Sequence, residues 1–134
     1  MGTILVAYDG SESAKRALDR AAKLANGNEV TVVSVAEELP KLGRAPSMLI
    51  PEEHERRLHD LSEAVAVLEK KGVALHAVER RGDAATLIVD EAEQEHADLI
   101  VMGTRGLSAT KRWTLGSVST KVLHHAPCDV LVVR

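Results

Sequence analysis

Hydrophobic positions along this chain follow two different spacings in alternation. Short apolar runs, of the kind a buried strand requires, are separated by longer stretches in which apolar residues recur every three or four positions, as on one face of a helix. Ile4–Tyr8 reads as the first strand, Glu29–Val35 as the second, Val73–Val78 as the third, Leu99–Met102 as the fourth and Val130–Val133 as the fifth. Val32-Val33 and Leu131-Val132-Val133 are apolar on successive positions, hence on both faces, which is the pattern of a parallel sheet covered by helices.

The helical stretches carry their own end signals. The first has Ser11 or Ser13 as cap, turns Ala14, Ala17, Leu18, Ala21, Ala22 and Ala25 inward, and stops at Asn26-Gly27. The second begins near Pro51, places Leu58, Leu61, Val65 and Leu68 at spacings of three and four, and ends at Gly72. Asp83 caps the third, with Leu87, Ile88 and Ala92 inward; the fourth runs from Ser117, taken as its cap, to His125, carries Val118, Val122 and Leu123, and is stopped by Pro127. Five strands joined by four crossovers predict a doubly wound α/β fold in one domain over 1–134, because parallel neighbours need helical connections. Glu37–Ile50 stands apart: it contains Pro40, Gly43 and Pro46, has no periodicity, and leaves the second strand where ligands sit in open α/β sheets, so it reads either as a lid or as an excursion without ligand contact.

Function is written most clearly in Asp98-Leu-Ile-Val-Met-Gly103-Thr-Arg-Gly106, followed after nine residues by Gly116-Ser117. A strand here opens into a glycine-punctuated loop whose backbone amides approach a ligand without Cβ obstruction, and which ends on a helix N-terminus, where unpaired N–H groups and the positive end of the dipole favour phosphate. The competing reading is purely structural, with glycines serving tight turns and close helix packing. No G-x-x-x-x-G-K-[ST] and no G-x-G-x-x-G exists, so a nucleotide would not be held by a Walker-type or dinucleotide-type loop.

Charge supports an anion. The chain has 20 acidic and 17 basic residues, yet Leu99–Cys128 contains no acidic residue and includes Arg105, Lys111, Arg112 and Lys121. A local basic loop in a net-acidic chain suits a bound anion rather than nucleic acid, which needs a broader basic footprint. Composition adds that the core is built from Ala, Val, Leu and Ile, with one Trp, one Tyr and no Phe. The single Cys128 excludes an internal disulfide and suits a reducing cytosol. With no signal peptide expected and no apolar run near the ~20 residues of a membrane span, the expectation is a cytoplasmic protein without membrane contact.

At this point the residues resemble the universal stress protein family, in its ATP-binding branch. The likeness spans Ile4-Leu-Val-Ala-Tyr-Asp-Gly-Ser11, Gly82-Asp-Ala-Ala-Thr-Leu-Ile88, Ala97-Asp-Leu-Ile-Val-Met-Gly-Thr-Arg-Gly106, Leu115-Gly-Ser-Val-Ser119 and Ala126-Pro-Cys-Asp-Val-Leu-Val-Val-Arg134. The family's signature G-x2-G-x9-G-[ST] is matched by Gly103, Gly106, Gly116 and Ser117. The resemblance implies a Rossmann-like sheet of the adenine nucleotide alpha hydrolase-like kind, strand order 3-2-1-4-5, with its crevice between strands one and four. It also implies adenine contacts from Asp9 and Val35, ribose contacts from Met102 and Gly103, and phosphate contacts from Gly106, Gly116, Ser117, Val118 and Ser119, with Arg105 beside them. Asp9 has its own structural alternative, an Asx-type turn into the first helix. Departures are Asp129 where the family often has proline, and Ala7 and Tyr8 where many members have proline and valine; Tyr8 bears on the shape of the adenine pocket.

Other chemistry is set aside. His54 and His59 are five residues apart, about 140° around a helix, and cannot share a metal on one face. His124 and His125 lie at a helix C-terminus favoured by cations. No Gly-x-Ser-x-Gly elbow exists, and nothing assembles a nucleophile, base and orienter. The reading is therefore a regulatory, nucleotide-dependent stress-response protein that retains ATP, with Mg²⁺ or Mn²⁺ held through the phosphates and at most slow hydrolysis. Alternatives are a slow ATPase or autophosphorylating phosphotransferase, and a ligand-free interaction module. The apolar last strand, at the sheet edge, predicts a homodimer, as the resemblance also does, and a regulatory protein partner is expected.

Overall fold

The computed structural model describes residues 2–36, 51–104 and 115–134. Five parallel strands form one sheet: β1 (Thr3–Ala7), β2 (Glu29–Ala36), β3 (Leu75–Arg81), β4 (Ala97–Gly103) and β5 (Asp129–Val133). Their order is β3-β2-β1-β4-β5, which makes β1 central and leaves β3 and β5 at the edges. Among the described residues there are four helices, α1 (Glu12–Ala25), α2 (Pro51–Lys70), α3 (Ala84–Gln94) and α4 (Ser117–His125).

Alternate positions along each strand feed two cores, as a period of two requires. Ile4, Val6, Tyr8, Val30, Val32, Val101 and Val133 pack with Ala14, Ala17, Leu18 and Ala21 of α1 and Ala64 and Leu68 of α2. Leu5, Val33, Ile100 and Met102 pack with Ala85, Ile88 and Ala92 of α3 and Val122 of α4. Small alanines on α1 bring that helix close to the sheet.

The helix ends carry local chemistry. Ser11 caps α1 by accepting the Ala14 N–H at 3.2 Å, and Asn26 ends it in the left-handed region with φ 42°. Asp83 caps α3 by accepting both the N–H and the hydroxyl of Thr86, at 3.1 and 2.7 Å. At α4 the cap is Gly116, one residue before the serine expected, and Ser117 is the first helical residue. Gly116 has the extended conformation a cap needs, whereas Ser117 is already helical.

Two further expectations change. β3 begins at Leu75 rather than Val73 and continues to Arg81, because pairing with β2 runs through polar Glu79, Arg80 and Arg81. On α2 the buried line is Arg57, Asp60, Ala64 and Leu68, while Leu61 and Val65 are half-buried and Leu58 is 44 % exposed. Leu87 is likewise half-buried and Leu123 exposed, so α3 and α4 cover the sheet with narrower faces than their apolar patterns suggest. The segment Glu37–Ile50 lies outside the described residues. No helix among the described residues is long and apolar enough to cross a membrane.

Candidate functional site

Strand order reverses between β1 and β4, and the two chains leave that point for opposite faces: β1 leads to α1 on one side, β4 to α4 on the other. A crevice at the C-terminal ends of these strands is the consequence, and it is where open α/β sheets take ligands. Ala7 pairs with Val33 and the Tyr8 N–H donates to the Val33 carbonyl at 2.9 Å. Continuing that register puts Asp9 level with Val35. On the other flank Val6 pairs with Val101, two residues before Gly103. Asp9, Val35, Met102 and Gly103 thus gather at one end of the sheet.

Asp9 uses one carboxylate oxygen at home. Its Oδ1 accepts the Ser11 N–H at 2.9 Å, an Asx turn that steers the chain into α1. A carboxylate has about four lone-pair directions, so this turn is compatible with a second donor from a ligand.

A packing contact holds position 103 to glycine. A Cβ at this position would lie 2.2 Å from Ser13 Oγ and 2.9 Å from the Ala14 backbone nitrogen. Only glycine lets the first turn of α1 sit against the end of β4.

After β4 the chain is tied back to its point of departure. The Thr104 N–H donates to the Val133 carbonyl at 2.9 Å, and the Gly116 N–H donates to the Thr104 carbonyl at 2.7 Å. Ser119, 2 % exposed, donates its hydroxyl to the Gly103 carbonyl at 2.9 Å, with the Thr104 carbonyl at 3.2 Å. These bonds fix the N-terminus of α4 to the end of β4. Arg105 and Gly106 lie outside the described residues.

The N-terminus so fixed has no side-chain cap. Its first helical hydrogen bond is from the Thr120 N–H to the Gly116 carbonyl at 3.0 Å. The N–H groups of Ser117, Val118 and Ser119 therefore precede any intrahelical acceptor and point along the axis, with the positive end of the dipole behind them. The first turn contains no acidic residue. Ser117 is exposed, Val118 packs against the core beneath, and the inward Ser119 hydroxyl is committed to the two carbonyls. Met102 is buried in the same core, so its part in the crevice belongs to its main chain.

Residues set aside as chemistry have structural partners. His54 Nδ1 lies 2.7 Å from Glu79 Oε2. His124 and His125 occupy the last turn of α4. Burial pushes the Cys128 thiol up, helped by Asp129 and Asp98, which disfavours the thiolate a nucleophile would need.

Sequence reasoning named Ser13 only as a possible cap and missed its contact with Gly103, which makes that glycine obligatory, and it missed the Arg57–Asp60 pair beside the Asp9 turn. Arg57 is 4 % exposed; its Nη1 donates to the Asp9 carbonyl at 3.1 Å and its Nη2 lies 3.0 Å from Asp60 Oδ2. The signal was present in the spacing: positions 57, 60, 64 and 68 form a helical stripe that ends in Ala64 and Leu68.

Comparison with known proteins bears on the family and the fold. The universal stress protein family model matches residues 1–134. A universal stress protein of Thermus aquaticus is 42 % identical over 140 residues, covering 98 % of each chain. Among solved structures, the Archaeoglobus fulgidus universal stress protein in complex with dAMP is 31 % identical, covers 100 % of this chain and 98 % of its own, and superposes with a TM-score of 0.75. A universal stress protein in complex with cAMP is 26 % identical, covers 99 % of this chain and 97 % of its own, and gives 0.76.

Proposed function

This chain belongs to the universal stress protein family, and from that premise we propose that it is a regulatory protein that binds ATP in the crevice between β1 and β4. The observation that carries the reading is the uncapped start of α4 at the strand-order reversal, directly after a glycine-punctuated loop. An anion there gains up to three backbone donors that no side chain of the helix uses. Two relatives solved with dAMP and cAMP support an adenine nucleotide as the source of that anion.

In this reading Ser117, Val118 and Ser119 offer their N–H groups to the phosphates, and Gly116 keeps the approach open. Gly106 offers its backbone to the phosphates, and Arg105 and the other basic residues of the loop add charge. Gly103 and Met102 present backbone to the ribose, while Asp9 and Val35 meet the base. The stretch Leu99–Cys128 supplies no carboxylate to coordinate a metal. A Mg²⁺ or Mn²⁺ ion would accordingly be held by phosphate oxygens and water, where it neutralises phosphate charge.

The same lack of a carboxylate near the phosphates argues for retention over turnover, since hydrolysis needs a group to orient or deprotonate water. The two forms, loaded and empty, would then differ in what they offer a protein partner. β5 ends the sheet, with Val130, Leu131 and Val132 half-buried, and this edge supports pairing with a second copy.

Titration calorimetry with ATP and Mg²⁺ tests the reading. It predicts one site per chain and loss of heat in Gly116→Val, whose side chain would intrude on the phosphates. A wild-type chain that releases no heat overturns it. Transfer of γ-phosphate label to water or protein, at about one turnover per second or faster, would overturn retention and make the protein an enzyme.

A further inference from the structure

Helix α2 buries the wrong residues for a helix held by apolar contacts alone. Arg57 is 4 % exposed and Asp60 9 %, while the neighbouring Leu58 is 44 % exposed. A rotation of about 100° around the axis, one residue's worth, would exchange an arginine for a leucine on the buried face. Buried ion pairs give weak stability in return for the desolvation of both groups, so the arrangement asks for another reason.

That reason is where the guanidinium points. Nη1 donates to the main-chain carbonyl of Asp9 at 3.1 Å, and Nη2 meets Asp60 at 3.0 Å. Gly10 follows with φ +82°, and a Cβ on it would lie 2.7 Å from Asp60 Oδ1. The Asp9–Gly10 peptide is therefore bonded by Arg57 at the Asp9 carbonyl, with the Asp60 carboxylate packed against Gly10. On the far side of the same peptide, Asp9 Oδ1 accepts the Ser11 N–H at 2.9 Å. Arg57 is itself held in register, because Ser34 donates its hydroxyl to the Arg57 carbonyl at 3.4 Å.

We propose that Arg57, braced by Asp60, is the positioning residue for Asp9: it fixes the peptide whose orientation aims the Asp9 carboxylate into the crevice and thereby sets affinity for the nucleoside end of the ligand. The inference rests on the nucleotide reading above and extends it to two residues outside the crevice. Arg57 touches no ligand in this scheme. It acts only through the Asp9 turn, so its removal should matter for ligands that carry a base and ribose and not for a bare polyphosphate. Glycine at position 10 follows from the same contact, since any side chain would displace the Asp60 carboxylate.

The test is a double-mutant cycle between Arg57→Met and Asp9→Ala, read by calorimetry with ATP and Mg²⁺ and with inorganic tripolyphosphate. Hydrogen exchange of the Ser11 amide is followed alongside. Arg57→Met is expected to weaken ATP on the order of tenfold, to have little further effect once Asp9 is alanine, and to leave tripolyphosphate affinity unchanged. The Ser11 amide should exchange faster in Arg57→Met. Asp60→Asn keeps the shape against Gly10 while removing the ion pair; it provides a gentler second variant and should show the same pattern in smaller degree. Additive losses in the cycle, equal losses for tripolyphosphate, or unaltered Ser11 protection would each overturn the proposal. A wild-type chain silent toward ATP overturns the nucleotide reading and this one with it, whereas a wild-type chain that binds no better than Arg57→Met overturns this one alone.

Discussion

Ser119 donates its hydroxyl to the main-chain carbonyl of Gly103, 2.9 Å away, and so joins the first turn of α4 to the last residue of β4. The Thr104 carbonyl lies 3.2 Å from the same hydroxyl. Ser119→Ala removes a buried donor and leaves the Gly103 acceptor without it, which costs about 1–2 kcal/mol. Urea denaturation should show the lower midpoint. ATP affinity should fall with it, because the bond sets where the α4 N–H groups point; a variant of wild-type stability and affinity would deny Ser119 this role.

Gly103 is limited by α1. A methyl group here would lie 2.2 Å from Ser13 Oγ and 2.8 Å from its Cβ. Gly103→Ala must push the first turn of α1 outward, a form of overpacking that costs about 1–3 kcal/mol. Thermal unfolding checks this, and Gly103→Ala combined with Ser13→Gly should recover part of the loss. If the double variant is no better than the single one, the contact with Ser13 is not what excludes alanine.

These residues show how far the sequence could be read. Strand positions and order of elements followed from apolar periodicity, because parallel strands buried on both faces leave a strong signal in Val32-Val33 and Leu131-Val132-Val133. The start of β3 did not, since this edge strand is largely polar and its extent depends on pairing with β2 rather than on burial. The inward face of α2 was misread for the opposite reason: Leu58 looks like core, but Arg57 and Asp60 take its place, Arg57 bonding the Asp9 carbonyl and pairing with Asp60, which lies against Gly10. At the crevice, the glycine spacing located the turn into α4, yet choosing Gly116 over Ser117 as cap needed dihedral angles. The packing constraint on Gly103 joins residues ninety apart in the chain, Ser13 and Gly103, and no local pattern reports it.

A pH dependence follows from two carboxyls on the α3 face. Arg80 donates through Nε and Nη2 to Glu91 Oε1 at 2.9 and 2.6 Å, and Thr31 donates to Glu95 Oε1 at 2.6 Å. Burial opposes the Glu91 charge, but bonds from Glu95 and Arg80 outweigh it and hold that carboxyl below the usual range. Glu95 is pushed up, first by burial and then by its bond to Glu91. A proton held more firmly in the folded state than in the unfolded chain stabilises at low pH, and that contribution is lost as pH rises through the raised folded value. Glu95→Gln keeps the Thr31 bond and a permanent donor toward Glu91. It should match wild type within the ordinary carboxylate range and become the more stable protein as pH rises to neutrality. Midpoints of thermal unfolding across that window decide the matter, and a constant difference at every pH would refute the firmer hold on the Glu95 proton.

Gly116 separates stability from binding most sharply. Its φ of −66° and ψ of 161° suit any L-residue, so aspartate enters without backbone strain. Asp is a preferred N-cap, and its carboxylate can accept one of the N–H groups at the start of α4, a gain of a few tenths of a kcal/mol over glycine. The helix dipole favours the same negative charge. Gly116→Asp should therefore raise the unfolding midpoint slightly. For a polyphosphate the change acts in reverse, because the new carboxylate takes the donors the phosphates need and repels them. ATP affinity is expected to fall by on the order of tenfold or more, with a smaller loss at high salt, where the repulsion is screened. Unfolding and calorimetry on the same sample give opposite signs if α4 is left uncapped for the sake of an anion. If Gly116→Asp is more stable and binds ATP as well as wild type, the phosphates do not lie at this helix, whatever else the crevice holds.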